Sequence, residues 1–135
     1  MTRDYEALAA YIESRSNMPF DWNGNCCARF SLGAIEAQFG EAPELSFSWK
    51  TAIGAKRVIA ARGGMISIIN EILMPIAPGA AMRGDIAGCP DDDLGLALLV
   101  IDGQMLIGPC ENGIRHIPRG FMTHAWRAAP SCHNV

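Results

Sequence analysis

The sequence predicts one α+β domain in which N-terminal helices pack on a small antiparallel sheet. Apolar residues recur at helical spacing in the first half of the chain, and short apolar runs separated by turn residues follow from residue 83 onward. Helices followed by strands, rather than alternating with them, are typical of α+β proteins. The 135 residues, 50% of them hydrophobic, fit a single domain over residues 1–135 with a core of its own.

Four helices are expected in the first half, from apolar spacing and from the residues that cap helix ends. They are Asp4–Arg15; Cys26–Phe39, with Asn25 as its N-cap; a third marked by Ala52, Ala55 and Ile59 that stops at Gly63-Gly64; and a fourth marked by Met65, Ile69, Ile72 and Leu73 that stops before Pro75. Trp22, Trp49 and Trp126 are expected to anchor the core.

The second half is expected to hold four short strands. They are Asp85–Gly88, Leu94–Ile101, Gln104–Ile107 and Ile114–Ile117. Asp102-Gly103 and Asn112-Gly113 lie between apolar runs, and such dipeptides favour tight hairpin turns. The strands are therefore expected to form an antiparallel sheet.

Charge and hydropathy exclude several classes of partner. A net charge of -3 lacks the basic excess that binding to a phosphate backbone needs, so nucleic acid is not expected. The longest apolar stretch, Met65–Met82, is interrupted by polar residues and prolines, whereas a membrane span needs about 20 apolar residues. No membrane segment or secretory signal is expected, and assembly in a cytoplasm follows.

No metal or other cofactor is expected. The five cysteines lack a C-x-x-C pair, so we interpret them as reduced thiols, and His116, His124 and His133 do not complete a metal-ligand spacing with them. The run Asp91-Asp92-Asp93 lacks the alternation of a calcium loop and is interpreted as a solvated turn.

Cys27 is the candidate nucleophile. It lies in the first turn of an expected helix, where unpaired backbone N–H groups and the helix dipole stabilise a thiolate. Cysteine is also among the most buried residue types, so a structural role fits the same position. Position alone leaves both roles open.

Several short motifs share their order and spacing with a known family. The run PFDWNGNCCARF at residues 19–30 resembles the opening motif of papain-like cysteine peptidases of the NlpC type, in particular a small branch encoded among the tail genes of tailed bacteriophages. MRGDI at residues 82–86 is similar to the entry into that family's sheet. LGL at 94–96 with IDG at 101–103 is similar to its central hairpin, and AWR at 125–127 to the C-terminal motif of the branch.

This resemblance implies a papain-like fold with a damaged active site. The nucleophile position falls on Cys27, the family's catalytic His is replaced by Asp93, and the third polar residue is replaced by Gly108. A carboxylate beside a thiol disfavours the thiolate and is a poor acid for a leaving amine. Cys27 is therefore expected to be an inactive thiol with a pKa above 7, facing one cleft with Asp93.

The function implied by the resemblance is a structural component of a phage tail tip or baseplate, or of a phage-derived particle. Such a protein is assembled in the host cytoplasm, resides in the virion, and binds other tail-tip proteins such as the hub and distal tail proteins. The segment around His124, Trp126 and Arg127 is the expected interface.

Two alternatives remain open at this stage. One is an active cysteine hydrolase that cuts peptidoglycan peptide bonds during phage entry, with His116 or His124 recruited as the base. The other is a small cytoplasmic binding domain that belongs to no particle.

Overall fold

The computed structural model describes residues 2–45 and 47–131, so Cys132 and His133 lie outside the described residues. Four α-helices precede an antiparallel sheet of six strands in this part of the chain. They are α1 (Tyr5–Ser14), α2 (Cys27–Phe39), α3 (Ala52–Ala61), α4 (Met65–Asn70), β1 (Met74–Ile76), β2 (Ile86–Asp91), β3 (Gly95–Asp102), β4 (Met105–Cys110), β5 (Gly113–Pro118) and β6 (His124–Arg127). The strand order is β1-β6-β2-β3-β4-β5. The α+β class, with helices first, is confirmed.

The start of α2 differs from the expectation. Asn25 does not cap this helix; Cys26 is the N-cap, and its side chain makes no capping hydrogen bond. The Asn25 amide instead donates to the carbonyl of Pro19 at 3.0 Å, because the loop before α2 folds back on itself and brings that carbonyl within reach. Helix α2 therefore begins at Cys27, and Gly40 ends it in the left-handed conformation, as expected.

Other element ends also differ from the expectation, and two strands were not expected. Strands β2 and β4 continue past their expected ends, to Asp91 and Cys110. Helix α4 ends at Asn70, and Ile72 and Leu73 are buried in the turn that follows it. Strands β1 and β6 were not expected as strands, because they are only three and four residues long and β1 contains Pro75. The two pair with each other, and β6 joins β1 to β2.

The sheet is buried on both faces at β3. Leu96, Leu98 and Val100 face the helices and join the larger core, whereas Leu99 and Ile101 belong to a second cluster on the opposite face. Such a strand reads as one continuous apolar run rather than as an alternation. This explains why β3 was easy to locate in the sequence.

A buried carboxylate joins both ends of the described chain to the sheet. The Asp85 side chain is fully buried and accepts hydrogen bonds from Arg3 (2.6 Å) and Arg127 (2.7 Å). It also accepts from the backbone N–H groups of Met82 (3.0 Å) and Ala128 (2.9 Å). The motifs at residues 82–86 and 125–127 thus meet in one ion-pair network that holds the fold together.

The expectation that Trp126 forms an interface is therefore wrong, whereas Arg127 serves the fold first. Trp126 is 1% exposed, and its indole N–H donates to Asn70 Oδ1 at 2.8 Å. Arg127 is paired with Asp85. Both side chains are satisfied inside the fold, and only His124 of that segment is exposed. Trp49 and Trp126 anchor the core as expected, and Trp22 is partly buried against it.

Candidate functional site: the Cys27 cavity

A small cavity of about 130 Å³ lies where the start of α2 meets the sheet, and we call it the Cys27 cavity. The residues that line it are Phe20, Trp22, Cys27, Asp91, Asp93, Leu94, Ala97, Pro109 and Arg115. Cys27 and Asp93 therefore face one cleft, as the motif spacing predicts.

The loop before α2 forms the aromatic wall of this cavity. The backbone N–H of Phe20 donates to the carbonyl of Cys110 at the end of β4, at 3.0 Å. The rings of Phe20 and Trp22 meet edge to face, with their centroids 4.8 Å apart. The loop is thus fixed to the sheet and places both rings beside Cys27.

The pairing of β3 with β4 stops short of the Cys27 cavity. It runs from Asp102–Met105 to Val100–Ile107. Pro109, further along β4, has no N–H to donate to β3. On β3, the backbone N–H of Leu98 acts on the thiol of Cys27 and lowers its pKa.

The surroundings of Cys27 favour the neutral thiol. The pKa of Cys27 is raised to about 11, mainly by burial and to a smaller extent by the neighbouring Cys26 and Asp91. Hydrogen bonds from the N–H groups of Leu98 and Ala28 lower the pKa, but by less than burial raises it. The direction of this shift agrees with the expected pKa above 7, and burial outweighs the stabilisation of a thiolate by the start of α2.

Asp91 is a lining residue that the sequence analysis missed. One of its carboxylate oxygens accepts from the N–H groups of Asp93 (3.1 Å) and Leu94 (2.8 Å), which fixes the turn between β2 and β3. The acidic run at 91–93 is therefore more than a solvated turn, because Asp91 and Asp93 both line the cavity and only Asp92 does not.

Gly108 lies opposite Arg115 in the pairing of β4 with β5. Arg115 is exposed and contributes to the wall of the Cys27 cavity. The Asn112-Gly113 signal could not have identified Arg115. A loop at those two residues would set Ile117 opposite Gly108, whereas Cys110 pairs with Gly113 and the loop is one residue earlier.

The two described histidines, His116 and His124, do not line this cavity. His116 is exposed on β5, opposite Ile107. His124 is exposed at the start of β6, with its Nδ1 atom 3.0 Å from the hydroxyl of Thr123 and its ring stacked on Trp126. In this geometry neither imidazole is placed to take the proton of Cys27.

The described residues hold no group of three or more His, Cys, Asp or Glu side chains that could bind a metal ion. Four of the five cysteines are described, namely Cys26, Cys27, Cys89 and Cys110, and all four are free thiols. None of the helices described is long and apolar enough to cross a membrane.

A family model matches the chain over residues 2–128, and its description is a domain of unknown function, DUF6950. The chain belongs to the DUF6950 family. No curated protein shows significant similarity to it. The matched range includes α1 to β6, so the Cys27 cavity and the Asp85 network both lie within the DUF6950 domain.

Proposed function

We propose that this DUF6950 domain is a catalytically inactive, papain-like domain of the NlpC type that works by binding other proteins. The observation that carries the proposal is the state of Cys27, a thiol whose pKa is about 11, in a cavity lined by two carboxylates and by neither described histidine. Nucleophilic catalysis by cysteine needs a thiolate and an adjacent base. Here burial, Cys26 and Asp91 outweigh the two backbone N–H groups that favour the thiolate.

The biological setting we propose is the tail tip or baseplate of a tailed bacteriophage, or a related phage-derived particle. The support is the resemblance of the motifs at residues 19–30, 82–86 and 125–127 to a branch encoded among phage tail genes. In this proposal the protein assembles in the host cytoplasm, remains in the virion, and contacts hub and distal tail proteins.

Complementation of a phage deleted for this gene tests the proposal. We expect Cys27→Ala to restore infectivity as well as the unchanged protein does, because removing one member of a site without a base removes no chemistry. Cys110→Ala is the matched control, since it removes another partly buried thiol outside the cavity. Plaque number and tail completeness by electron microscopy are the measurements.

The proposal would be contradicted if phage complemented with Cys27→Ala had complete tails but failed to infect, while phage complemented with Cys110→Ala infected normally. That result would favour a peptidoglycan hydrolase. Normal tails and infectivity after complete deletion of the gene would instead contradict a tail role.

Charges introduced singly at the exposed apolar residues Ile53, Met74 and Phe121 should locate the binding surface, and at least one should block tail assembly.

A further inference from the structure

Strand β5 is the longer of the two strands at the edges of the sheet. The strand order places β1 at one edge and β5 at the other. β1 has three residues and contains Pro75, and a proline protects an edge strand because it has no N–H to offer another chain. β5 has six residues, Gly113–Pro118, and its proline is the last of them. The edge suited to receive a further strand is therefore that of β5.

Two prolines show which backbone groups of β5 point outward. Pro109 of β4 lies opposite Ile114. Because proline has no N–H, these two residues form a non-hydrogen-bonded pair, and such pairs alternate with hydrogen-bonded ones along an antiparallel ladder. His116 and Pro118 therefore share the arrangement of Ile114, and Pro118 fits it because it has no N–H to give β4 either. The N–H and C=O groups of Ile114 and His116 point away from β4.

These outward groups are open in the part of the chain that the structure describes. No other described backbone group bonds to the N–H or C=O of Ile114 or His116. Arg115, between them, is exposed and takes part in none of the ion pairs among the described residues. Ile114 and Ile117 are only partly buried. The edge thus combines open backbone groups with one cationic and two apolar side chains.

The β5 edge is basic in an acidic protein. The chain has a net charge of -3, whereas residues 113–121 contain Arg115, His116 and Arg119 and no acidic residue. Arg119 already donates to the carbonyl of Ala81 at 2.6 Å. Arg115 is therefore the cation available to a partner, and a carboxylate directly opposite it in an added strand is favourable.

The pairing geometry argues against a second copy of this chain as the added strand. Ile114 and His116 both find complete partners only when Ile114 of one copy lies opposite His116 of the other in an antiparallel pair. That register sets the two Arg115 residues directly opposite each other, with Cα atoms about 4.5 Å apart, and like charges so placed destabilise a sheet. A shift by two residues reaches Pro118, which has no N–H, or the turn at Asn112.

We propose that the β5 edge binds an extended acidic segment of a partner protein, which pairs antiparallel with β5 and places Asp or Glu opposite Arg115. Residues directly opposite each other share a face of the sheet, so apolar partner residues belong opposite Ile114 and Ile117. From its N-terminus, the partner segment is apolar, unrestricted, acidic and apolar at four successive positions. The inference rests on the proposed binding function, since it names the kind of protein bound, but not on the tail role.

The end-blocked peptide Thr-Val-Thr-Glu-Val-Thr has this pattern and tests the proposal. Amide hydrogen exchange is followed by NMR on the isotopically labelled protein. In the free protein we expect the amides of Ile114 and His116 to exchange faster than those of Arg115 and Ile117, which donate to β4. Saturating peptide should slow exchange at Ile114 and His116 about tenfold or more. Replacing the peptide's Glu with Lys should weaken binding about fivefold, because an opposite-charge pair is lost.

N-methylation of the peptide is the matched control that leaves the protein unchanged. A methyl group on the second Val, whose amide faces β5, should weaken binding about tenfold, whereas the same group on the Glu, whose amide points away, should change it little. In the protein, Arg115→Glu should reverse the preference between the Glu and Lys peptides. His116→Pro removes an outward N–H that the fold does not use and should abolish binding, whereas His116→Ala should retain it.

The proposal would be overturned by exchange at Ile114 and His116 that millimolar peptide leaves unchanged, by equal binding of the Glu and Lys peptides, or by equal effects of the two N-methyl groups. Protection that rises with protein concentration in the absence of peptide would assign the edge to a second copy instead. These measurements do not involve Cys27, so the edge proposal can fail while the inactive thiol stands. Loss of infectivity with Cys27→Ala would likewise leave peptide binding intact.

Discussion

Replacing Asp85 with alanine is expected to lower the free energy of unfolding by about 3–5 kcal/mol, the cost of removing one partner from a buried ion pair. Asp85 is fully buried and accepts four hydrogen bonds, so its loss leaves Arg3 and Arg127 without their partner. Domains of this size have total stabilities of about 5–15 kcal/mol, so much of the margin disappears. Urea unfolding followed by circular dichroism measures the change.

Asp102→Ala is the matched control for this prediction. Asp102 also pairs with an arginine, Arg83, at 2.9 Å, but the two side chains are 35% and 40% exposed. An exposed pair contributes about 0–1 kcal/mol, so we expect a much smaller loss of stability. Equal losses in the two variants would show that the Asp85 network does not hold the fold together.

Trp126→Ala is expected to cost about 3–5 kcal/mol, the usual range for truncating a buried aromatic residue. Its ring packs against Gly88, where a Cβ would lie 3.0 Å from the indole, and its N–H is bonded to Asn70. Trp126→Phe keeps much of the aromatic ring, so we expect it to destabilise the protein less than Trp126→Ala does. Loss of the hydrogen bond to Asn70 alone should cost of the order of 1 kcal/mol, and any loss of packing adds to this. Thermal and urea unfolding of both variants give these values.

Phe121→Ala is the control for Trp126→Ala. Phe121 is 62% exposed, and substitutions at such positions change stability by about 0.5 kcal/mol or less. If Trp126→Ala were as stable as Phe121→Ala while failing to support tail assembly, Trp126 would be an interface residue after all. The structure predicts the opposite order of stabilities.

The longer elements could be predicted from the sequence because each carries a local signal. Helix α1 begins after Asp4, whose carboxylate accepts from the N–H of Ala7, and α2 ends at a left-handed Gly40. The hairpin between β3 and β4 is present as the Asp102-Gly103 pair predicts, but its loop is Gly103-Gln104, one residue later, because Asp102 pairs with Met105. In these cases the sequence neighbours of a residue determine its conformation.

The remaining features depend on contacts between distant parts of the chain. Strands β1 and β6 are too short to show a pattern and are stabilised by pairing across some fifty residues of sequence. Arg3, Asp85 and Arg127 meet only after the sheet has formed. Trp126 and Arg127 have the residue types of an interface, and only their partners reveal that they serve the fold.

Some features of the Cys27 cavity could be predicted from the sequence, and others depend on contacts between distant parts of the chain. The motif spacing was sufficient to place Cys27 and Asp93 in one cleft. The sequence alone could not show where the pairing of β3 with β4 stops, that the N–H of Leu98 acts on the thiol, or that burial outweighs the helix start in setting the pKa of Cys27. These effects depend on desolvation and on strand register.

The pH dependence of Cys27 alkylation tests the central claim most directly. Only the thiolate reacts, so the rate of modification by iodoacetamide, resolved to Cys27 by peptide mass spectrometry, follows the ionisation of that thiol. We predict slow reaction at pH 6 and a rate that rises about tenfold with each pH unit and does not level off below about pH 10, as a pKa of about 11 requires. Rapid alkylation at pH 6, absent in Cys27→Ala, would show an activated nucleophile and contradict an inactive domain.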